Sequence, residues 1–380
     1  MYLNEKIANL KLARVFYWLG IIALVVFFLE QFRSFLQPFV IAILIWFLIS
    51  DLSELIAKVR YQGYSLPRWL RVLLAFVLIL SLLFFSIDLL SKNIEKIISN
   101  VPEYREKLKI IIAQLGETTG VENITGRIQE RLLGIDFQAF LTEILGALTS
   151  VIGHFVIILI YIAFLLIEST VFNNKMRIIF KVPDRYAEIR ELTSKMSKSV
   201  NAYLSVKSLV SLLTGLLSYL VLLLFGIEYA EMWAFLIFLM NFIPYIGSLI
   251  ATLLPAIFAV FQFSSFVYFV WVFLSVEAIQ VFVANYVEPR VMGRRLNLSP
   301  LIVILSLSFW GMIWGVLGMF LAVPLTSIVL IILSHFPSTH NVALFFSEKG
   351  ELQTDQPEVT APNPYIEPNQ SKKSETAQGL

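Results

Sequence analysis

Residues 232–276 and 296–347 contain no Asp, Glu, Lys or Arg. A water-soluble fold cannot clothe runs of that length in polar surface, whereas a bilayer core asks for about 20 apolar residues per spanning helix. The whole chain agrees, with 58% hydrophobic and only 15% charged residues. The fold class is therefore all-α, a polytopic helical membrane protein. Having no Cys, the chain has no disulfide, thiolate metal site or cysteine nucleophile, and His154, His335 and His340 are too scattered for a zinc cluster. A net charge of +2 excludes a global nucleic-acid footprint, and no cofactor motif appears.

Shorter charge-free windows cover 15–29, 34–50, 72–87, 144–167 and 208–227. Snorkelling of Lys11 and Arg14 extends the first to 10–29, and Glu30, Gln31, Phe32 and Arg33 follow it in place of a small-residue cleavage site, so it reads as a retained anchor. Basic residues concentrate before this helix and in 51–71 and 168–207, which makes those segments cytoplasmic and 91–143 external. The side on which Arg290, Arg294 and Arg295 fall depends on whether 232–262 crosses once or turns back as a re-entrant hairpin. Charge bias favours the hairpin. The same choice recurs for 300–334, with a second hairpin dipping from the opposite side. The expectation is six full spans plus two re-entrant hairpins, with eight simple spans as the alternative; both leave the N- and C-termini cytoplasmic.

Five regions result: 1–90 with spans one to three, an external helical insert at 91–143, a fourth span and cytoplasmic amphipathic helix at 144–207, a transport core at 208–334, and a disordered cytoplasmic tail at 335–380. In the insert, Ile94, Ile97, Ile98 and Val101 share a helix face, as do Tyr104, Leu108, Ile111, Ile112 and Leu115 after a break at Pro102, with 117–127 as a loop. The charged stretch 184–207 is expected to lie along the membrane surface.

Three clusters carry chemistry. Asn241, Pro244 and Gly247 interrupt the longest apolar region, and Pro244 frees the carbonyl of Met240. Broken helix at membrane depth survives where it is packed in protein or lines a wet cavity, and transporters aim such ends at substrate; the plainer reading is a packing kink. Glu277 sits near the centre of a span, where a carboxylate costs about 3 kcal/mol and marks an ion, proton or solute pathway. Gln280 and Asn285 extend it into a polar strip; the plainer reading is a hydrogen bond to a neighbouring helix. Glu288, Pro289, Arg290 and Gly293 then end that span and lead to Pro300, the arginines serving either an anionic ligand or lipid headgroup or topology alone. Gly311, Gly315, Gly318 and Ala322 before Pro324 form a small-residue stripe suited to close helix packing. No Walker loop or H-E-x-x-H motif occurs, so gradient-driven transport fits better than nucleotide hydrolysis or proteolysis.

Phe238-Leu-Met-Asn-Phe-Ile-Pro244-Tyr-Ile-Gly247, Glu288-Pro289-Arg290-Val-Met-Gly293, Leu298-Ser-Pro300-Leu and Gly315-Val-Leu-Gly318-Met-Phe-Leu-Ala322-Val-Pro324 resemble the signatures of the autoinducer-2 exporter family of bacterial permease-like membrane proteins. The motifs lie within 200–333, while hydropathy and the external insert agree across the chain. The resemblance implies a bacterial inner-membrane transporter, with some members linked to export of autoinducer-2 and others to sodium or lithium/proton antiport. It also implies a homo-oligomer, possibly a pentamer, capped by the inserts. Pro244, Gly247, Pro289, Gly293, Gly318 and Pro324 are the positions it assigns to structural signatures. Two alternatives to an exporter of a small polar solute stay open: a cation/proton antiporter using Glu277, and a non-transporting scaffold.

Overall fold

The computed structural model describes residues 2–58, 66–119, 153–292 and 298–348, together with positions 142, 146 and 149. Helices and short turns account for all of them. The first four helices are α1 (Tyr2–Gln31), α2 (Arg33–Lys58), α3 (Arg68–Thr119) and α4 (Phe155–Ile179). They are followed by α5 (Pro183–Leu224), α6 (Ala230–Met240), α7 (Ile246–Phe263) and α8 (Phe266–Phe282). A π-helical segment, Val283–Val287, joins α8 to α9 (Glu288–Met292), and α10 (Pro300–His335) and α11 (His340–Phe346) close the described chain. Seven stretches, in α2, α3, α4, α5, α7, the α8–α9 rod and α10, are long and apolar enough to cross a membrane, and the apolar part of α1, Leu19–Gln31, is shorter.

One of the seven is not a single rod. Residues 306 and 326 would stand about 30 Å apart in a continuous helix, yet Thr326 donates to Ser306 Oγ at 2.9 Å and Trp310 Nε1 donates to Thr326 Oγ1 at 3.1 Å. The chain reverses at Gly315, whose φ of 64° and ψ of −142° are open to glycine and costly for any other residue. α10 is thus an antiparallel hairpin with arms 300–314 and 316–335. α6 and α7 form a second one. Gln262 joins its base by accepting from Glu228 N and donating to Gly226 O, Trp233 and Phe258 pack with ring centroids 5.3 Å apart, and the chain turns back between Met240 and Ile246. With α1 to α5 and the α8–α9 rod, this is the arrangement of six long helices and two helical hairpins, and the eight-rod alternative is excluded.

The hairpins enter from opposite ends. The base of α6–α7 follows the finish of α5, whereas both arms of α10 reach back to its beginning, where His335 Nε2 pairs with Glu188 at 2.9 Å and Ser199 and Ser327 hydroxyls meet at 2.8 Å. Their tips pack together: Phe242 stacks on Phe320 at 4.6 Å, and Ile243 sits among Leu307, Trp310, Ile313 and Trp314. α2, α3 and α4 form a separate cluster around Ala42, Ile45, Ile49, Ala75, Ile158 and Ile162. Beyond it, Leu90, Ile94, Ile97 and Tyr104 of α3 lie against the first hairpin, with Tyr104 edge-on to Phe258 at 5.7 Å.

Three expectations are corrected. Pro102 does not break α3, which runs unbroken to Thr119, so 117–119 is helix. Pro102 faces solvent, and the face on either side of it packs inward through Val101 and Tyr104. The charged segment 184–207 is no separate helix but the first half of α5, held in line by its contacts with the second arm of α10. Residues 335–347 are ordered: α11 packs on α10 through Ala343, and Phe346 O accepts from Ser299 N at 3.1 Å. The remainder of the insert from 120 to 141, the loop 293–297 with Gly293, Arg294 and Arg295, and the tail from 349 lie outside the described residues.

Candidate transport site

α5, α6, α7 and α8 close a ring in which each helix packs on the next and α8 returns to α5. Neighbours run antiparallel. Without water exclusion as a driving force, helices in lipid associate by close approach. Gly215 of α5 accordingly sits where a side chain would meet Ala234 O at 3.1 Å and Phe238 Cβ at 3.2 Å, and α7 turns Ala251, Ala256 and Ala259 inward.

At the tip of the first hairpin, Pro244 leaves Met240 O without its helical partner, and Ile243 N takes the vacancy at 2.9 Å. Ile246 N then donates to Pro244 O at 2.7 Å across Tyr245, whose φ of 60° and ψ of −62° make a γ-turn of the strained hand. Such a backbone costs about 1–3 kcal/mol and persists only where its surroundings hold it. They do: Asn241 Nδ2 donates to Ser211 Oγ at 3.1 Å, Tyr203 Oη donates to Phe242 O at 3.2 Å, and both bonds are buried. Gly247 completes the turn, because a methyl group there would overlap the Met240 carbonyl oxygen. Gly318 repeats this logic in the second hairpin against Trp310 O.

The predicted strip on α8 is divided. Gln280 is buried, and Glu277 Oε2 is buried with no hydrogen-bond partner. Asn285 faces outward from the π-helical segment and spends its amide on Val281 O at 2.9 Å, so it does not join them. The extra residue in the π turn rotates α9 about the helix axis, and this aims Glu288 inward onto Lys207 at 2.7 Å, with Lys207 almost wholly buried. Pro289 and Arg290 are exposed beyond this pair. Pro300 is the first residue of α10, with Ser299 as its cap, and Pro324 is buried in the second arm.

Sequence reasoning missed the partner face. Lys207, Ser211, Thr214 and Ser218 recur at i, i+4, i+7 and i+11 on α5 and are all buried. That spacing was the available signal.

A ring of membrane helices with a strained, hydrogen-bonded tip and a carboxyl oxygen buried without a partner among the described residues defines the class of polytopic membrane proteins built around broken helices. Residues 16–338 match the model of the AI-2E family transporter, and the chain belongs to that family. It is therefore a membrane transporter. A putative transport protein of Haemophilus influenzae is 29% identical over 351 residues, covering 91% of this chain and 99% of the relative. The AI-2 transport protein TqsA of Escherichia coli K12 is 27% identical, with 90% and 98% covered. The putative transport protein YhhT of the same organism is 30% identical, with 73% and 78% covered.

Proposed function

We propose that this protein exports a small polar solute of the autoinducer-2 kind, with the ring of α5 to α8 and the first hairpin's tip forming its route. The observation that carries the reading is Glu277, a carboxyl group in an apolar span whose buried oxygen has no partner among the described residues. In lipid such a group is retained for traffic of ions, protons or solute. Asn241, held in the ring by Ser211, and the Pro244–Gly247 turn supply the broken backbone that transporters place at a substrate. The name of the Escherichia coli relative TqsA supports the choice of cargo.

In this reading Glu277 couples movement to protons. The protein sits in the bacterial inner membrane with both termini in the cytoplasm and works as a homo-oligomer, to be counted by native mass spectrometry. The test is efflux from proteoliposomes loaded with autoinducer-2 under an imposed pH gradient. Wild-type protein should release the solute, and Glu277→Gln should slow release at least tenfold. Absence of release from wild-type vesicles sinks the cargo assignment, and unchanged release by the variant sinks the role of Glu277.

A further inference from the structure

Four helices of the ring each bury a polar side-chain atom that has no hydrogen-bond partner among the described residues: Ser218 Oγ from α5, Trp233 Nε1 from α6, Thr252 Oγ1 from α7, and Glu277 Oε2 with Gln280 Nε2 from α8. Ser218, Trp233 and Thr252 are 0% exposed and Gln280 is 5% exposed. Buried polar groups are paired in nearly all native structures, and one left alone costs about 1–3 kcal/mol. Five in one bundle require a common explanation.

Helix register puts Ser218, Thr252 and Glu277 near one height. The Lys207–Glu288 pair fixes α5 against α8, and Ser218 and Glu277 lie equally far along from it, 207 to 218 and 288 to 277. The turn at Ser264–Ser265 fixes α7 against α8, and Thr252 and Glu277 lie equally far from it, about three turns. Gly215 abuts Ala234, which places Trp233 within a turn of Ser218. One turn away on these helices Leu222, Ile237 and Ala256 are fully buried, as is Val276 beside Glu277, while Thr214 and Ser211 continue the polar face of α5 towards the hairpin tip.

We infer that this layer, Ser218, Trp233, Thr252, Glu277 and Gln280, is the binding chamber for one small uncharged solute that presents both hydroxyl donors and oxygen acceptors. The chemistry of the wall selects the class. An indole N–H donates and never accepts, so it seeks an oxygen acceptor. The carboxyl oxygen of Glu277 takes a hydroxyl hydrogen, and Ser218 and Thr252 serve in either sense. A bare cation has no use for the Trp233 N–H donor, and an anion finds no cationic side chain among Ser218, Trp233, Thr252, Glu277 and Gln280. This inference rests on the transport reading and names the residues that hold the cargo; Ser218, Trp233 and Thr252 were not among those the sequence singled out.

The test uses the full chain in lipid nanodiscs, with thermal melting and calorimetric titration against autoinducer-2, D-ribose, and sodium chloride. Autoinducer-2 or ribose should bind and raise the melting temperature, and sodium should do neither. Thr252→Val keeps the shape and deletes the unpaired hydroxyl. It should melt higher than wild type without ligand, yet bind the solute about five- to tenfold more weakly, while Thr252→Ser retains binding. Ser218→Ala and Trp233→Phe should weaken binding in the same range. Wild-type affinity in all these variants, sodium competing with the solute, or no binding of either solute to wild type overturns the chamber. Unchanged binding in variants that still export autoinducer-2 removes the chamber and leaves the export reading intact. Ribose binding that follows these substitutions, with no autoinducer-2 efflux, keeps the chamber and removes the cargo.

Discussion

Gly247 and Gly318 occupy places where the carbonyl oxygens of Met240 and Trp310 leave no room for a methyl group, and neither oxygen can retreat, because each belongs to a helix end. Gly247→Ala and Gly318→Ala should therefore each destabilise the protein by about 3 kcal/mol or more, the upper end for overpacking against a rigid neighbour. Gly20→Ala, which meets nothing within 4 Å inside α1, should stabilise slightly, by up to about 1 kcal/mol; melting curves in detergent decide the matter, and equal curves for all three would contradict the tight-turn reading. Lys207 and Glu288 set a second expectation. Their side chains are 6% and 22% exposed, so Lys207→Met or Glu288→Gln alone strands a buried partner and should cost about 3–5 kcal/mol. The double substitution should recover most of that loss, and a double-mutant cycle without coupling would show the pair to be incidental. The value of the glycines was only half visible in the sequence. Pro244 next to Gly247 announces a break because proline deletes a donor, but Gly315 lies in a stripe of small residues whose spacing fits plain packing equally well, and the sign of its φ is not written in any neighbour.

Among the elements, the π-helical segment has the largest effect for its size. One extra residue in 283–287 turns α9 by about 100° relative to a regular helix, and this carries Glu288 onto Lys207 while Asn285 is left facing outward. Sequence periodicity assumes 3.6 residues per turn throughout, so it grouped Asn285 with Glu277 and Gln280; the strip was legible up to the inserted residue and no further. Removing Ala284 should restore the regular helix and swing the Glu288 position away from α5. In the naturally Cys-free chain, a Lys207→Cys/Glu288→Cys pair should cross-link readily with a short bifunctional thiol reagent. The deletion should lower that yield at least fivefold; an unaltered yield would mean that α9 is positioned by something other than the π turn. α5 shows the converse lesson. Its charge pattern suggested two environments and hence two elements, yet with no Gly or Pro between Asp184 and Leu224 apart from Gly215 nothing in the backbone interrupts the helix, and contacts with α10 hold the charged half in line.

For the molecule as a whole, the two charge-free runs demanded membrane helices and left open how often they cross. The reversals resolve this, because a hairpin returns its chain to the side it came from. Ser264, exposed at the base of the first hairpin, then lies at the opposite end from Lys58 and Arg290, whereas eight simple spans would put Ser264 with Lys58 and move Arg290 across. Single cysteines at these three positions separate the two arrangements through a membrane-impermeant maleimide applied to intact cells and to everted vesicles. With the N-terminus cytoplasmic, Ser264→Cys should react only from outside, and Lys58→Cys and Arg290→Cys only from the cytoplasm. Inversion of all three patterns together would preserve the hairpins and reverse the orientation that the basic residues imply. Reaction of Ser264→Cys and Lys58→Cys from one side would instead deny the reversal at Pro244, and with it the antiparallel ring in which Glu277, Ser218 and Thr252 come level.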